Sequence, residues 1–175
     1  MKNILSDILS TAKFKSAVYF KHGFCSPWGM KVSKSQFSQF HLVTKGNCLL
    51  RMDNKTVRLE KGDVLIFPNG APHEIKDLPH AACLDGKKVV MDIINGQQPF
   101  EGNLISTQLI CGHFEMDNSL SHPIFDDLPE CIIVKSDEYG RFELIYSIFE
   151  LIVEEMSHQK AGYETVSLRL AEILF

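Results

Sequence analysis

The chain has 175 residues, a formal net charge of -4 and a pI near 6.0, with 45% hydrophobic and 23% charged residues. That length allows one domain with a good core, and the composition is that of a folded globular protein, which excludes a disordered chain. The acidic balance lacks the basic excess that phosphate neutralisation needs, so this segment by itself is not expected to bind DNA. No apolar run reaches the roughly 20 residues of a membrane span, and Asp7 interrupts what would be a signal peptide's apolar stretch; a cytoplasmic protein is expected. The five cysteines, Cys25, Cys48, Cys83, Cys111 and Cys131, are an odd number without a CxxC pair, which favours reduced thiols over a disulfide framework.

In chain order, Ile4 to Ala12 reads as a short amphipathic helix with Ser6 as its cap. Strands are then expected from Ala17 to about Val134. Gln39 to Thr44 is followed by a turn at Lys45-Gly46-Asn47, Cys48 to Met52 by a turn at Asp53-Asn54-Lys55, and Thr56 to Leu59 completes the series. Short strands at this spacing predict an all-β sandwich or barrel. Gly62 to His73, GDVLIFPNGAPH, carries a permissive turn glycine, an apolar run from Val64 to Phe67 suited to a strand buried on both faces, and a bend in which Pro68, Gly70 and Pro72 forbid helix. Asp77 to Lys88 and Asn95 to Asn103 read as long loops.

Helix returns at the end. From Asp137 to His158, Phe142, Ile145, Phe149, Ile152, Val153 and Met156 recur at three- and four-residue spacing, and Lys160-Ala161-Gly162 breaks the pattern. A second helix is expected from Tyr163 to Phe175. It carries no Gly, Pro or polar stop, as though the helix ran on past Phe175. The predicted organisation is a barrel over residues 1–135 with a helical segment over 136–175, as one structural unit.

The spacing of Gly62, Pro68, Gly70 and His73 resembles the second motif of the cupin superfamily, a double-stranded β-helix or jelly-roll barrel, and FHLVTKG (Phe40 to Gly46) resembles part of the first. SPWG (Ser26 to Gly29), FHLVTKG, GDVLIFPNGAPHEI, LICGHF (Leu109 to Phe114) and HPIFDDLPECIIV (His122 to Val134), followed by two helices, together resemble the cupin-type sensor domain of AraC-family transcription regulators. The resemblance implies a mainly β barrel with a C-terminal helical appendage, a small-molecule effector or metal ion as ligand, and homodimerisation through the helices. It also implies DNA contact only through a helix-turn-helix domain that this chain does not contain.

Departures from the family bear on chemistry. Metal-dependent cupins carry a His-x-His pair and a glutamate in the first motif, whereas here the corresponding stretch reads Lys34-Ser35-Gln36-Phe37 and the glutamate position is Gln39. A dioxygenase- or isomerase-like site therefore lacks its ligands, and no catalytic residue is expected. Strand alternation places Gln39, His41 and Val43 on one face, the barrel interior by resemblance, and Leu109, Cys111 and His113 on one face of the late strand. The resemblance also turns His73 inward.

His41, His73 and Cys111 are thus candidate zinc ligands, with Cys25 or His22, or His113 in place of Cys111, as further candidates. The competing reading makes them a hydrogen-bonded core. A His-flanked Cys111, alone or with Cys25, could alternatively report oxidants. Trp28, with His41 and His73, is a candidate ligand contact, against a plain packing role. Arg51 and Arg58 are expected to be solvated. The principal alternatives to a sensor are a stand-alone metal-dependent cupin enzyme and a small-metabolite-binding cupin.

Overall fold

The computed structural model describes residues 14–116, 128–136, 142–158 and 160–173. In chain order these form β1 (Phe14–Cys25), β2 (Gly29–Val32), β3 (Ser38–Lys45), β4 (Asn47–Met52), β5 (Lys55–Glu60), β6 (Val64–Phe67), β7 (His73–Lys76), β8 (Leu84–Asp85), α1 (Gly86–Ile94), β9 (Ile105–Met116), β10 (Ile132–Val134), α2 (Phe142–His158) and α3 (Tyr163–Ile173). The strands make two five-stranded sheets, ordered β1-β9-β3-β6-β10 and β5-β4-β7-β2-β8. This is the mainly β architecture expected from the turn spacing, and its two facing sheets are those of the jelly-roll barrel that the resemblance implies. The helix expected over residues 4–12, part of the segment from His122, and the start of the helix expected from Asp137 lie outside the described residues.

Alternation along the central strands separates two cores. Val43, Leu65, Phe67, Leu109 and Cys111 join Phe24, Trp28, Leu50 and Ile75 in the interior between the sheets. Their neighbours Phe40, Leu42, Val64 and Ile110 face outward and pack with Ile148, Phe149 and Ile152 of α2. β3 is therefore buried on both sides, because α2 covers the face that an uncovered sheet would give to water. Lys21 of β1 bonds Glu150 at 2.5 Å and pins the same helix.

The Gly62 to His73 stretch supplies β6, the following turn and the first residue of β7. At its start, Asp63 is 1% exposed and accepts hydrogen bonds from the Glu60 and Ser136 backbone N–H groups at 2.9 and 3.1 Å, and from Lys135 Nζ at 2.5 Å. That carboxylate ties the β5–β6 turn to the chain leaving β10. At its end, the Pro68–Pro72 turn is stitched to the segment before β3: Ser35 N–H donates to Gly70 O at 2.9 Å, Lys34 Nζ to Asn69 O at 2.6 Å, and the Ser38 hydroxyl to Pro68 O. Gly70 has φ +59°, and a Cβ there would press on the Ser35 and Phe37 carbonyls. Only glycine meets both demands.

The sequence reading needs correction between Asp77 and Asn103. Residues expected as loop and strand contain α1, which Asp85 caps by accepting hydrogen bonds from Lys87 and Lys88 N–H at 2.9 and 3.2 Å. The β-branched run Val89, Val90, Ile93, Ile94 looks strand-like. The Asp cap and the i, i+3, i+4 spacing decide for helix, since Val89, Val90 and Ile93 all face the barrel core.

Gly70→Ala is expected to lower unfolding free energy by about 1–3 kcal/mol through left-handed strain and the carbonyl clash. Urea denaturation checks this, and an unchanged midpoint would show that the turn is not held against Ser35 and Phe37.

Candidate functional site

A cleft of about 690 Å³ opens between the sheets. Its wall combines Tyr19 and Phe20 of β1, Met30 and Val32 of β2, the Ser33–Phe37 segment, Gln39 and His41 of β3, Gly86, Lys87, Val90 and Met91 of α1, and Cys111 and Gly112 of β9. Tyr19 and Phe20 are consecutive, so a regular strand would send them to opposite faces. A bulge allows both to reach the cleft: Val18 pairs with Gly112 and Phe20 with Cys111, leaving Tyr19 as the extra residue.

Cys111 lies in this wall and begins a buried polar chain that crosses from one sheet to the other. His41 is the cross-strand partner of Cys111, and His73 stands on β7 in the opposite sheet. Cys111 Sγ lies 2.9 Å from His41 Nδ1, His41 Nε2 lies 2.9 Å from His73 Nε2, and His73 Nδ1 lies 2.8 Å from the Ala71 carbonyl oxygen. The carbonyl can only accept, and this sets every proton. His73 Nδ1–H donates to Ala71, His73 Nε2 must accept, His41 Nε2–H donates to it, and Cys111 S–H donates to His41 Nδ1. Each buried donor meets one acceptor.

Protonation agrees with that assignment. Burial, and secondarily the neighbouring His73, hold His41 well below the usual imidazole range. Burial holds His73 down at about 4 despite the opposing bond to Ala71. Burial raises the Cys111 thiol well above its ordinary value, with Cys48 adding to the effect. All three groups are neutral at pH 7, and the Phe67 ring stacks on His73 with centroids 3.7 Å apart.

His41, His73 and Cys111 thus meet, as alternation for His41 and Cys111 and the resemblance for His73 led us to expect, but as a linear chain rather than a convergent donor set. A zinc ion needs free lone pairs aimed at one point. Here the Nδ1 lone pair of His41 and the Nε2 lone pair of His73 are already used, on opposite edges of the His41 ring. The residues do not fit zinc, and among those described no group of three or more His, Cys, Asp or Glu is placed to hold a metal ion.

Cys25 does not join them. It pairs with Ile105, whereas Cys111 pairs with Phe20, five residues back along β1 and roughly 16 Å away. His22 instead meets Gln98 at 3.0 Å, and His113 stacks between Tyr19 and Phe37. The raised Cys111 thiol also works against the oxidant-reporting reading, which needs thiolate character.

Trp28 corrects the ligand-contact expectation. It is fully buried, stacked on Phe24 with centroids 4.9 Å apart, and absent from the cleft wall. Its place just before β2 puts it in the interior core. Arg51 and Arg58 pair with Glu74 and Glu60 on the exposed face, as expected of solvated charges. The sequence reading did not assign Tyr19, Met30, Val32, Lys34, Lys87, Val90 and Met91 to the site. The signal available for the last three was the Asp85 cap; nothing in the sequence marked the bulge.

Two sheets closing over an interior cleft define a jelly-roll barrel with room for one small molecule. Residues 3–175 match the family model described as Cupin, and the chain belongs to the cupin family. Over 138 residues it is 25% identical to an uncharacterized HTH-type transcriptional regulator of Haemophilus influenzae, covering 77% of this chain and 43% of that protein. Among solved structures, an apo ToxT variant from Vibrio cholerae strain SCE256 matches with a TM-score of 0.50 and 9% identity, over 93% of this chain and 53% of the other. YhaK from Escherichia coli matches with a TM-score of 0.40 and 6% identity, over 73% of this chain and 52% of the other. The chain spans about half the length of these relatives. The likeness to cupin-type domains of AraC-family regulators, read from five sequence segments, accords with the family match and with the Haemophilus influenzae regulator.

Cys111→Ala leaves His41 Nδ1 without a donor and is expected to cost about 1–3 kcal/mol in unfolding free energy, while Cys111→Ser, which keeps a donor, costs less. Equal losses in chemical denaturation would contradict the proton assignment. Dialysis against a chelator is expected to leave the melting midpoint unchanged; stoichiometric zinc in purified protein would overturn the chain as drawn.

Stability is also expected to depend on pH. The unfolded chain protonates His73 near the ordinary imidazole value of about 6.5, while the folded protein resists until about 4. Stability is therefore full above that upper value and falls as pH drops, with His73 alone accounting for roughly 3 kcal/mol. His41 acts in the same direction. Denaturation at pH 7.5 and 4.5 measures the decline, which His73→Gln should make shallower.

Proposed function

We propose that this chain is the sensing and dimerisation part of an AraC-type transcription regulator, with a small-molecule effector in the cleft and DNA contact supplied by a helix-turn-helix domain outside it. The observation that carries this reading is the two-sided use of β3. Gln39 and His41 face the cleft, while the intervening Phe40 and the next residue, Leu42, pack on α2, with the Phe40 and Phe149 ring centroids 5.0 Å apart. An effector that changes the pose of β3 changes the seat of α2 directly. The response is bounded by the difference in effector affinity between the two poses.

The curated relative's description as an HTH-type regulator supports the regulatory assignment. Dimerisation is drawn from α2, where Leu144 and Leu151 are 60% and 47% exposed two turns apart. An apolar stripe of that spacing suits a helix contact with a second copy.

The test is a fusion to a DNA-binding domain that represses its operator only as a dimer. The fused chain is expected to restore repression, and Leu144→Glu with Leu151→Glu to abolish it while circular dichroism stays unchanged. A wild-type fusion that fails to repress, though folded, would overturn the dimerisation role.

A further inference from the structure

Among the described residues, one side chain of the cleft wall keeps a buried polar atom without a partner. Gln39 lies opposite His113 and Phe67 on the neighbouring strands and lines the cleft, yet its Oε1 is buried without a hydrogen-bond partner. Among the described residues it is the one cleft-lining side chain in that state. His41 and Cys111, the other polar groups of β3 and β9 in the wall, spend their donors and acceptors within the buried chain. An unmet buried acceptor is costly, and a ligand that donates to it recovers that cost.

The rest of the wall narrows the donor. Tyr19, Phe20 and Phe37 bring aromatic rings to it, and Met30, Val32 and Val90 extend the apolar surface. Its charged residues are Lys34 and Lys87, both cationic and exposed, with no carboxylate. An ammonium donor would enter against like charge, whereas a hydroxyl donates without carrying one. A flat ring suits aromatic walls by stacking or edge contact.

We infer that Gln39 sets the specificity of the cleft by accepting a hydrogen bond from the hydroxyl of a neutral phenolic ligand. This rests on the cleft being the effector site and names the ligand class.

Ligand-detected NMR titration of the chain with phenol, anisole and benzylamine tests it. Phenol is expected to bind about tenfold more tightly than anisole, which has the ring and oxygen but no donor. Gln39→Leu should remove that difference, Gln39→Glu should admit benzylamine, and Val90→Trp, which fills the cleft, should abolish phenol binding. Equal affinity for phenol and anisole in the unaltered protein overturns the role of Gln39 and leaves the cleft as effector site standing. Phenol binding undiminished by Val90→Trp puts the ligand elsewhere and overturns both. Tighter binding of benzylamine than phenol, or no binding of any of the three, overturns the phenolic assignment.

Discussion

One backbone carbonyl organises the interior of this barrel. Ala71 O can only accept, so it fixes the proton on His73, which fixes His41, which fixes Cys111. The chain links the two sheets across an apolar core where an unsatisfied imidazole would be expensive. All members stay neutral because burial opposes charge on each of them. A polar chain that is complete in this way leaves no imidazole lone pair free for a metal, and among the described residues it leaves Gln39 Oε1 as the cleft-lining side-chain atom that is buried without a partner.

The strand that carries His41 also connects the cleft to the helices. Gln39 and His41 look inward and Phe40 and Leu42 look outward, so β3 is in contact with whatever fills the cleft and with α2. A sheet strand is a stiff element, and close-packed neighbours on both faces leave it few ways to move independently. At the other end of the motif, Asp63 holds Lys135 and Ser136 on the path from β10 toward α2. The stretch from Asp63 to His73 thus touches the buried chain at one end and the route to the helices at the other.

Some of this was legible because it follows from period and chemistry alone. The alternation of Gln39, His41 and Val43, and of Leu109, Cys111 and His113, grouped these residues on shared faces, and the resemblance said that the first of those faces is the interior. The PNGAP bend was legible because Pro68, Gly70 and Pro72 each forbid alternatives. Helix α1 was partly legible, since Asp85 is a good cap, but its β-branched residues favoured a strand reading. The Tyr19 bulge was not, because an extra residue in one strand depends on what its partner strand does. Trp28 was left open between ligand contact and packing because an aromatic near a barrel end fits equally well in a core or a cleft wall, and only the third dimension distinguishes them.

The amino-acid sequence by itself determined the mainly β class, the turns and which residues of the central strands share a face, since each rests on local sterics or residue type. Tertiary structure decided which inward groups bond to which. It made His41 the middle of a hydrogen-bonded chain rather than one of several ligands around an ion, set Cys25 roughly 16 Å from Cys111, and closed the cleft with α1. The reason is physical: a period of two says which way a side chain points, whereas distance and direction between side chains on different sheets depend on register and on how the sheets close.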